Sequence, residues 1–181
     1  KSYHDFVKQY PDAYHLAVTA TPYVEKSLKH VAEVVVKPIT MLELIDQGFL
    51  VPPKYYAPMK VDTSGLKVSR STKDFKTADL EELLEDNNFI ANLVDSWKEF
   101  AMNKRTLAFA VSIAHSKQIV AKFQAAGIKA EHCDADTKEV DRNAIIARLE
   151  SGETKIVSNV GIFCTGVDVP PLECVMMARP T

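Results

Sequence analysis

Cysteine is scarce and poorly placed for cross-linking: the 181 residues hold three, Cys133, Cys164 and Cys174, with no Cys-x-x-Cys spacing. An odd, scattered set argues against a disulfide scaffold and a thiolate zinc site, and points to a reducing, cytoplasmic setting. No uninterrupted apolar run approaches the roughly 20 residues that a membrane span needs, so no membrane role is expected. The opening residues, Lys1 to Asp5, carry neither a signal-peptide pattern nor an initiator methionine, and the expectation is a piece of a longer protein. Charge of one sign is lacking as well. A formal net charge of -2 excludes a polybasic tail while leaving room for a local basic groove. Compact catalytic signatures are also missing: there is no Gly-x-x-x-x-Gly-Lys-Ser/Thr phosphate loop, no Asp-Glu-x-His strand end, no Gly-x-Ser-x-Gly elbow and no paired-histidine metal motif. The chain alone is therefore expected to hold no catalytic residues and no metal.

What is present is an ordinary globular balance, with 46% apolar residues. Three short apolar runs, Thr106 to Val111, Lys155 to Asn159 and Glu173 to Ala178, lack polar alternation, as expected of strands covered on both faces. Between them lie two helices. Ser112 is an N-cap for the first, with Ile113, Ile119, Val120 and Phe123 on its apolar face and Gly127 as its stop. The second is expected from Asp136-Thr137, with Glu139 completing a capping box and Val140, Ile145, Ile146 and Leu149 facing inward to a stop at Ser151-Gly152. Strand, helix and strand in short alternation predict an open parallel α/β sheet.

Upstream, Asn88 to Met102 carries Ile90, Leu93, Val94, Trp97 and Ala101 at helical spacing. Trp97 sits mid-stripe, which assigns it to the core rather than to base stacking. Thr77 to Asp86 predicts a shorter helix, and Thr40 with Glu43 a capping box for a helix stopped by Gly48. A strand is expected over Lys54 to Val61, with Pro58 at an edge or bulge, and a loop over Asp62 to Lys76. Lys54 to Lys76 is net basic and Asp79 to Glu99 acidic, read as a loop followed by a solvated helix face. Near the start, a short helix around Tyr3 to Gln9 precedes an apolar strand from His15 to Thr19 that has no obvious neighbour. Residues 1–36 are therefore expected to be the end of a preceding domain with its linker, and residues 37–181 a second domain.

Carboxyl ends of strands in open α/β sheets are where ligands bind. One such end runs from Asn159 to Pro170. Gly161 and Gly166 allow close backbone approach to a phosphate, Thr165 offers a hydroxyl and an amide, and Asp168 is an acceptor for a ribose hydroxyl or an ordinary turn carboxylate. Ser112 caps a helix whose start can also hold a phosphate. The run His132-Cys133-Asp134 closes a further strand without a second cluster that would make it a metal or nucleophile site.

Taken in order, these segments resemble the second RecA-like domain of superfamily-two DEAD/DEAH-type helicases. Thr19-Ala20-Thr21-Pro22 is similar to motif III, Thr106 to Ser112 with Ala114-His115-Ser116 to motif IV, Asn159 to Pro170 to motif V, and Ala178 to Thr181 to the strand end before motif VI. The resemblance implies an open parallel sheet of RecA-like, P-loop NTPase architecture without its own phosphate loop. It implies nucleic-acid contacts by Thr165, Ser112, Arg142 and Asn159, nucleotide contacts by Asp168 and Gly166, and coupling between domains by Thr19, Ala20 and Thr21. It implies ATP and Mg2+ as cofactors of the whole protein, and as partners a nucleic acid, DNA ahead of RNA, and a first RecA-like domain. Two departures stand out: Cys133 replaces the glycine of the family's His-Gly-Asp turn, and the sequence stops before the Gln-x-x-Gly-Arg-x-x-Arg helix that carries the arginine finger. The implied activity is an ATP-dependent helicase. Two rivals are a translocating helicase-like subunit of a restriction or repair complex and a degenerate RecA-like module that binds a protein partner.

Overall fold

The computed structural model describes residues 3–18, 34–57, 62–68, 75–84, 87–164 and 168–179. They divide into two compact units, Lys1–Tyr55 and Tyr56–Thr181. In the first unit α1 (Tyr3–Gln9) and α2 (Met41–Asp46) are the helices among the described residues. The capping box expected at α2 is present: the Glu43 amide donates to Thr40 Oγ1 at 3.2 Å and the Thr40 amide donates to Glu43 Oε2 at 2.7 Å. None of this unit's described residues is buried. The strand expected from His15 is not formed over its described part, His15 to Val18, where Leu16 and Val18 are 92% and 90% exposed. A strand without a partner leaves its backbone to water, and apolar alternation alone does not supply one. The other expected strand is likewise absent over Lys54 to Ala57, which follows two prolines that remove donors.

The second unit is built on four parallel strands, β1 (Thr106–Phe109), β2 (Ala130–Cys133), β3 (Ile156–Asn159) and β4 (Cys174–Met177), in the order β2-β3-β1-β4. The central strand β3 is buried along its whole length. The register sets Thr106 opposite Ile156 and Cys174, and Ala130 opposite Ile156, so the carboxyl ends of the strands share one edge. Helices α4 (Asn87–Phe100) and α5 (Ile113–Ala125) cover one face, with Ile90, Leu93, Trp97, Ile119 and Phe123 packed on Ala108, Ala130 and Ile156. Helix α6 (Glu139–Ser151) lies on the other face, where Ile145 and Leu149 meet Leu107, Val157, Cys133, Phe163 and Val169. A third cluster joins Leu80 and Leu84 of α3 (Thr77–Leu84) to Val111, with Leu66 and Phe75 against it. The segment expected as a plain loop is thus pinned at Leu66 and Phe75, and Val68 bridges Phe75 in antiparallel fashion.

Trp97 is core, as its stripe predicts: it is 4% exposed, its ring meets Phe123 edge-on at 5.8 Å, and its indole N–H donates to Thr106 Oγ1 at 2.8 Å. Helix α5 ends as expected. Gly127 takes a φ of 77°, and the Ile128 amide donates back to Phe123 O at 3.0 Å, a closure that a left-handed residue permits. Two inward assignments fail, since Ile113 is 39% and Val140 79% exposed. Both lie in the first turn of their helix. The second capping box also fails: the N-cap of α6 is Lys138, with no side-chain cap bond. Asp136 is drawn instead into a turn organised by Asp134, whose Oδ1 accepts from the Asp136 amide at 3.1 Å.

Phe123 is fully buried between α4 and the sheet. Replacing it with alanine should cost about 3–5 kcal/mol, measured as a lower urea midpoint at unchanged slope.

Candidate nucleic-acid interface

Three connections leave the carboxyl edge of the sheet, one each after β1, β2 and β3. After β1 the chain enters α5 through Ser112, whose Oγ accepts from the His115 amide at 3.2 Å. Ser112 is half-buried, and accepting that bond leaves its O–H hydrogen for a second partner. Between them, the Val111 amide donates to Nδ1 of the buried His115 at 3.4 Å. Burial pushes the His115 imidazole below the usual histidine range, with Glu81 opposing, so the ring accepts that bond in its neutral form.

After β2 comes a dense polar turn. Asp134 Oδ1 accepts from the amides of Asp136 and Thr137 at 3.1 and 3.0 Å and from Thr137 Oγ1 at 3.0 Å. Its other oxygen accepts from His132 Nε2 at 2.9 Å, and that bond, with those from Thr137, holds the carboxyl below the usual aspartate range. His132 Nδ1 lies 2.7 Å from Ser116 Oγ, which lies 2.7 Å from Ser158 Oγ in the middle of β3. Arg142, in the first turn of α6, is half-buried and donates from Nη2 to Thr137 O at 3.2 Å. Cys133 is buried beneath this turn and burial raises its thiol, so at neutral pH it is an inert core residue rather than a nucleophile.

After β3 the sequence-predicted loop departs. Asn159 differs from its expected role as a strand-facing contact. It is fully buried, with Nδ2 donating to Ala108 O at 2.9 Å across to β1 and Oδ1 without a hydrogen-bond partner. Gly161 follows with a φ of 69° and open space where a side chain would stand. Asp168, on the same connection, is exposed. Thr165 and Gly166 lie outside the described residues, as do Thr19, Ala20 and Thr21. Ser112, Arg142 and Asp168 are thus on connections that leave one edge, whereas Asn159 is inside it. Among the described residues no group of three metal-ligating side chains occurs, and no helix is long and apolar enough to cross a membrane.

Sequence reasoning missed the chain from Ser158 through Ser116 and His132 to Asp134. Its signal was there: a serine inside the apolar run of β3, and another on the buried stripe of α5, are out of place unless they bond each other. Asp134→Asn should lower stability at pH 7 by about 1–3 kcal/mol, because a charged acceptor with four donors is lost. Asp134 has a depressed native value, so its stabilisation is complete above the unfolded value near ~3.9 and declines as pH falls through the native one. The gap between the two proteins should therefore close in urea titrations run from about pH 4 downward.

Residues 85–181 match the family of the helicase conserved C-terminal domain. The chain is 31% identical over 160 residues to IRC3 of Saccharomyces cerevisiae, a candidate ATP-dependent helicase by its name, covering 87% of this chain and 23% of that protein. It is 28% identical over 182 residues to a 51.5 kDa protein of a Lactococcus phage, covering 99% of this chain and 40% of that one. The helicase domain of Hef from Pyrococcus furiosus superposes on 57% of this chain and 22% of its own at 20% identity, with a TM-score of 0.47. The chain spans less than half the length of these relatives. With the matched span covering more than half of its residues and running through every strand of the parallel sheet, the chain belongs to the helicase conserved C-terminal domain family.

Proposed function

We propose that this chain is the strand-gripping half of an ATP-driven nucleic-acid helicase or translocase, with residues 37–181 as its second RecA-like domain and residues 1–36 as the end of the first. One observation carries the reading: the connections bearing Ser112, Arg142 and Asp168 leave the same carboxyl edge of a parallel sheet whose sequence belongs to a helicase family. Ser112 and the start of α5 offer a hydroxyl and a helix N-terminus to a phosphate. Arg142 offers a guanidinium already steadied at one nitrogen by Thr137 O. Thr165 and Gly166, in the loop after β3, complete the backbone contacts. Contacts of this kind hold sugar and phosphate and read little sequence. Asn159 serves the track from within, fixing β3 to β1 beneath the loop.

The fit to a nucleotide is partial. Asp168, exposed on the connection that follows β3, suits a ribose hydroxyl, with Gly166 near it in sequence, but the sequence has no phosphate loop to hold the rest. Bound ATP with Mg2+ would supply the free energy of hydrolysis across a cleft shared with the first domain. This chain's residues orient one side of that cleft, and Thr19, Ala20 and Thr21 link it to the strand track. The three thiols are all free, which suits a reducing, cytoplasmic compartment. DNA is the proposed strand, ahead of RNA.

In the full-length protein, Thr165→Ala should lower nucleic-acid-stimulated ATP hydrolysis about threefold or more while leaving basal hydrolysis within about twofold. Equal loss in both would remove Thr165 from the track. Stimulation should also fall steeply from about 50 to 200 mM salt, as phosphate contacts dictate; salt-independent stimulation would exclude a phosphate grip.

A further inference from the structure

Where α5 packs on the sheet, one line of polar side chains runs through the core. Ser158 and Ser116 are fully buried, Asp134 is buried and His132 half-buried, and the four are joined at 2.7, 2.7 and 2.9 Å. Such a line is costly unless every group is satisfied, since an unmet polar atom in a core forfeits its hydration. A valine at Ser158 and an alanine at Ser116 would suit the surrounding Ala108, Ala130 and Ile119 better. The line therefore accomplishes something besides packing, and its outer end shows what. Asp134 Oδ2 is held by His132, which leaves Oδ1 to fix the amides of Asp136 and Thr137. Thr137 in turn presents the carbonyl that holds Arg142 Nη2. No side chain caps α6, so the turn leading into that helix is anchored by Asp134, together with Thr137 Oγ1, which accepts from the Asp134 amide at 3.0 Å.

We propose that His132 is a positioning residue for Arg142: bridging the core hydroxyls to Asp134, it fixes the rotamer of that carboxylate, the 134–137 turn and so the guanidinium. This rests on the reading of Arg142 as a strand contact. Without the His132 bond, Asp134 loses the partner of one oxygen and can rotate, and Thr137 O moves with it. The guanidinium then samples several positions, and ordering it falls on the binding step. Affinity for the strand should suffer, whereas turnover once the strand is saturating should not.

Two near-isosteric variants separate the arms of the bridge. In His132→Gln the side-chain amide reaches the place of Nε2 and keeps the bond to Asp134; in His132→Asn it stops near the place of Nδ1 and keeps only the bond to Ser116. Both, with Arg142→Ala, are to be compared in the full-length protein by ATPase assay against single-stranded DNA concentration, with urea midpoints confirming folding. His132→Asn should raise the half-maximal DNA concentration about fivefold to tenfold with saturated turnover unchanged, and His132→Gln should stay within about twofold of the wild type. The inference is overturned if the two variants weaken the DNA dependence equally, if His132→Asn leaves it unchanged, or if that variant lowers saturated turnover instead. Arg142→Ala distinguishes the levels. Should it raise the half-maximal concentration while His132→Asn does not, the bridge alone is wrong; should it have no effect, the strand contact by Arg142 falls and the bridge with it.

Discussion

A strand covered on both faces can satisfy its backbone only through its neighbours, and β3 is such a strand from Ile156 to Asn159. It pairs with β2 on one side and β1 on the other, with all of them running the same way. The carboxyl ends of the four strands share an edge because that pairing is parallel. Were one central strand reversed, the connections that carry Ser112, Arg142 and Asp168 would leave opposite ends of the domain. The pairing also explains Asn159, whose amide supplies a bond from β3 to the Ala108 carbonyl and stiffens the point where the loop departs.

The two edges of the sheet are built differently. At the amino end, charged and polar groups pair with each other: Arg148 meets Glu131 through Nε and Nη2 at 2.9 and 2.5 Å, Thr154 adds a further bond to the same carboxylate, and Arg105 reaches Glu173 at 3.2 Å. The Arg148 bonds hold Glu131 below the usual glutamate range. The Arg105–Glu173 pair is partly exposed and contributes little by itself. At the carboxyl end the polar groups are spent on the backbone of the turns instead. One edge is closed on itself, and the other shapes loops that still have donors to offer.

The sheet and its helices were legible because period and burial agree: the three apolar runs became β1, β3 and β4, and the stripe from Ile90 to Trp97 became the buried face of α4. The start of α6 was misread because Asp136 and Glu139 have capping-box spacing, yet Asp134 claims the Asp136 amide first. Local spacing cannot register that competitor, which is itself held from the core by His132. His15 to Val18 and Lys54 to Ala57 read as strands by composition, but a strand needs a partner that composition does not name. At the edge, Ser112 was legible as a helix cap, since a cap is local. The buried place of Asn159 was not, because its bond spans 51 positions of sequence.

The only tryptophan of the chain sits at the amino end of β1, its indole N–H bound to Thr106 and its ring against Phe123. A four-residue strand separates it from the carboxyl edge, a span of about 10 Å. Its fluorescence is therefore an internal optical gauge of whether α4, α5 and the sheet are assembled. A ligand at the opposite rim does not touch the indole, so a shift of its emission on adding one points to rearrangement of the interior.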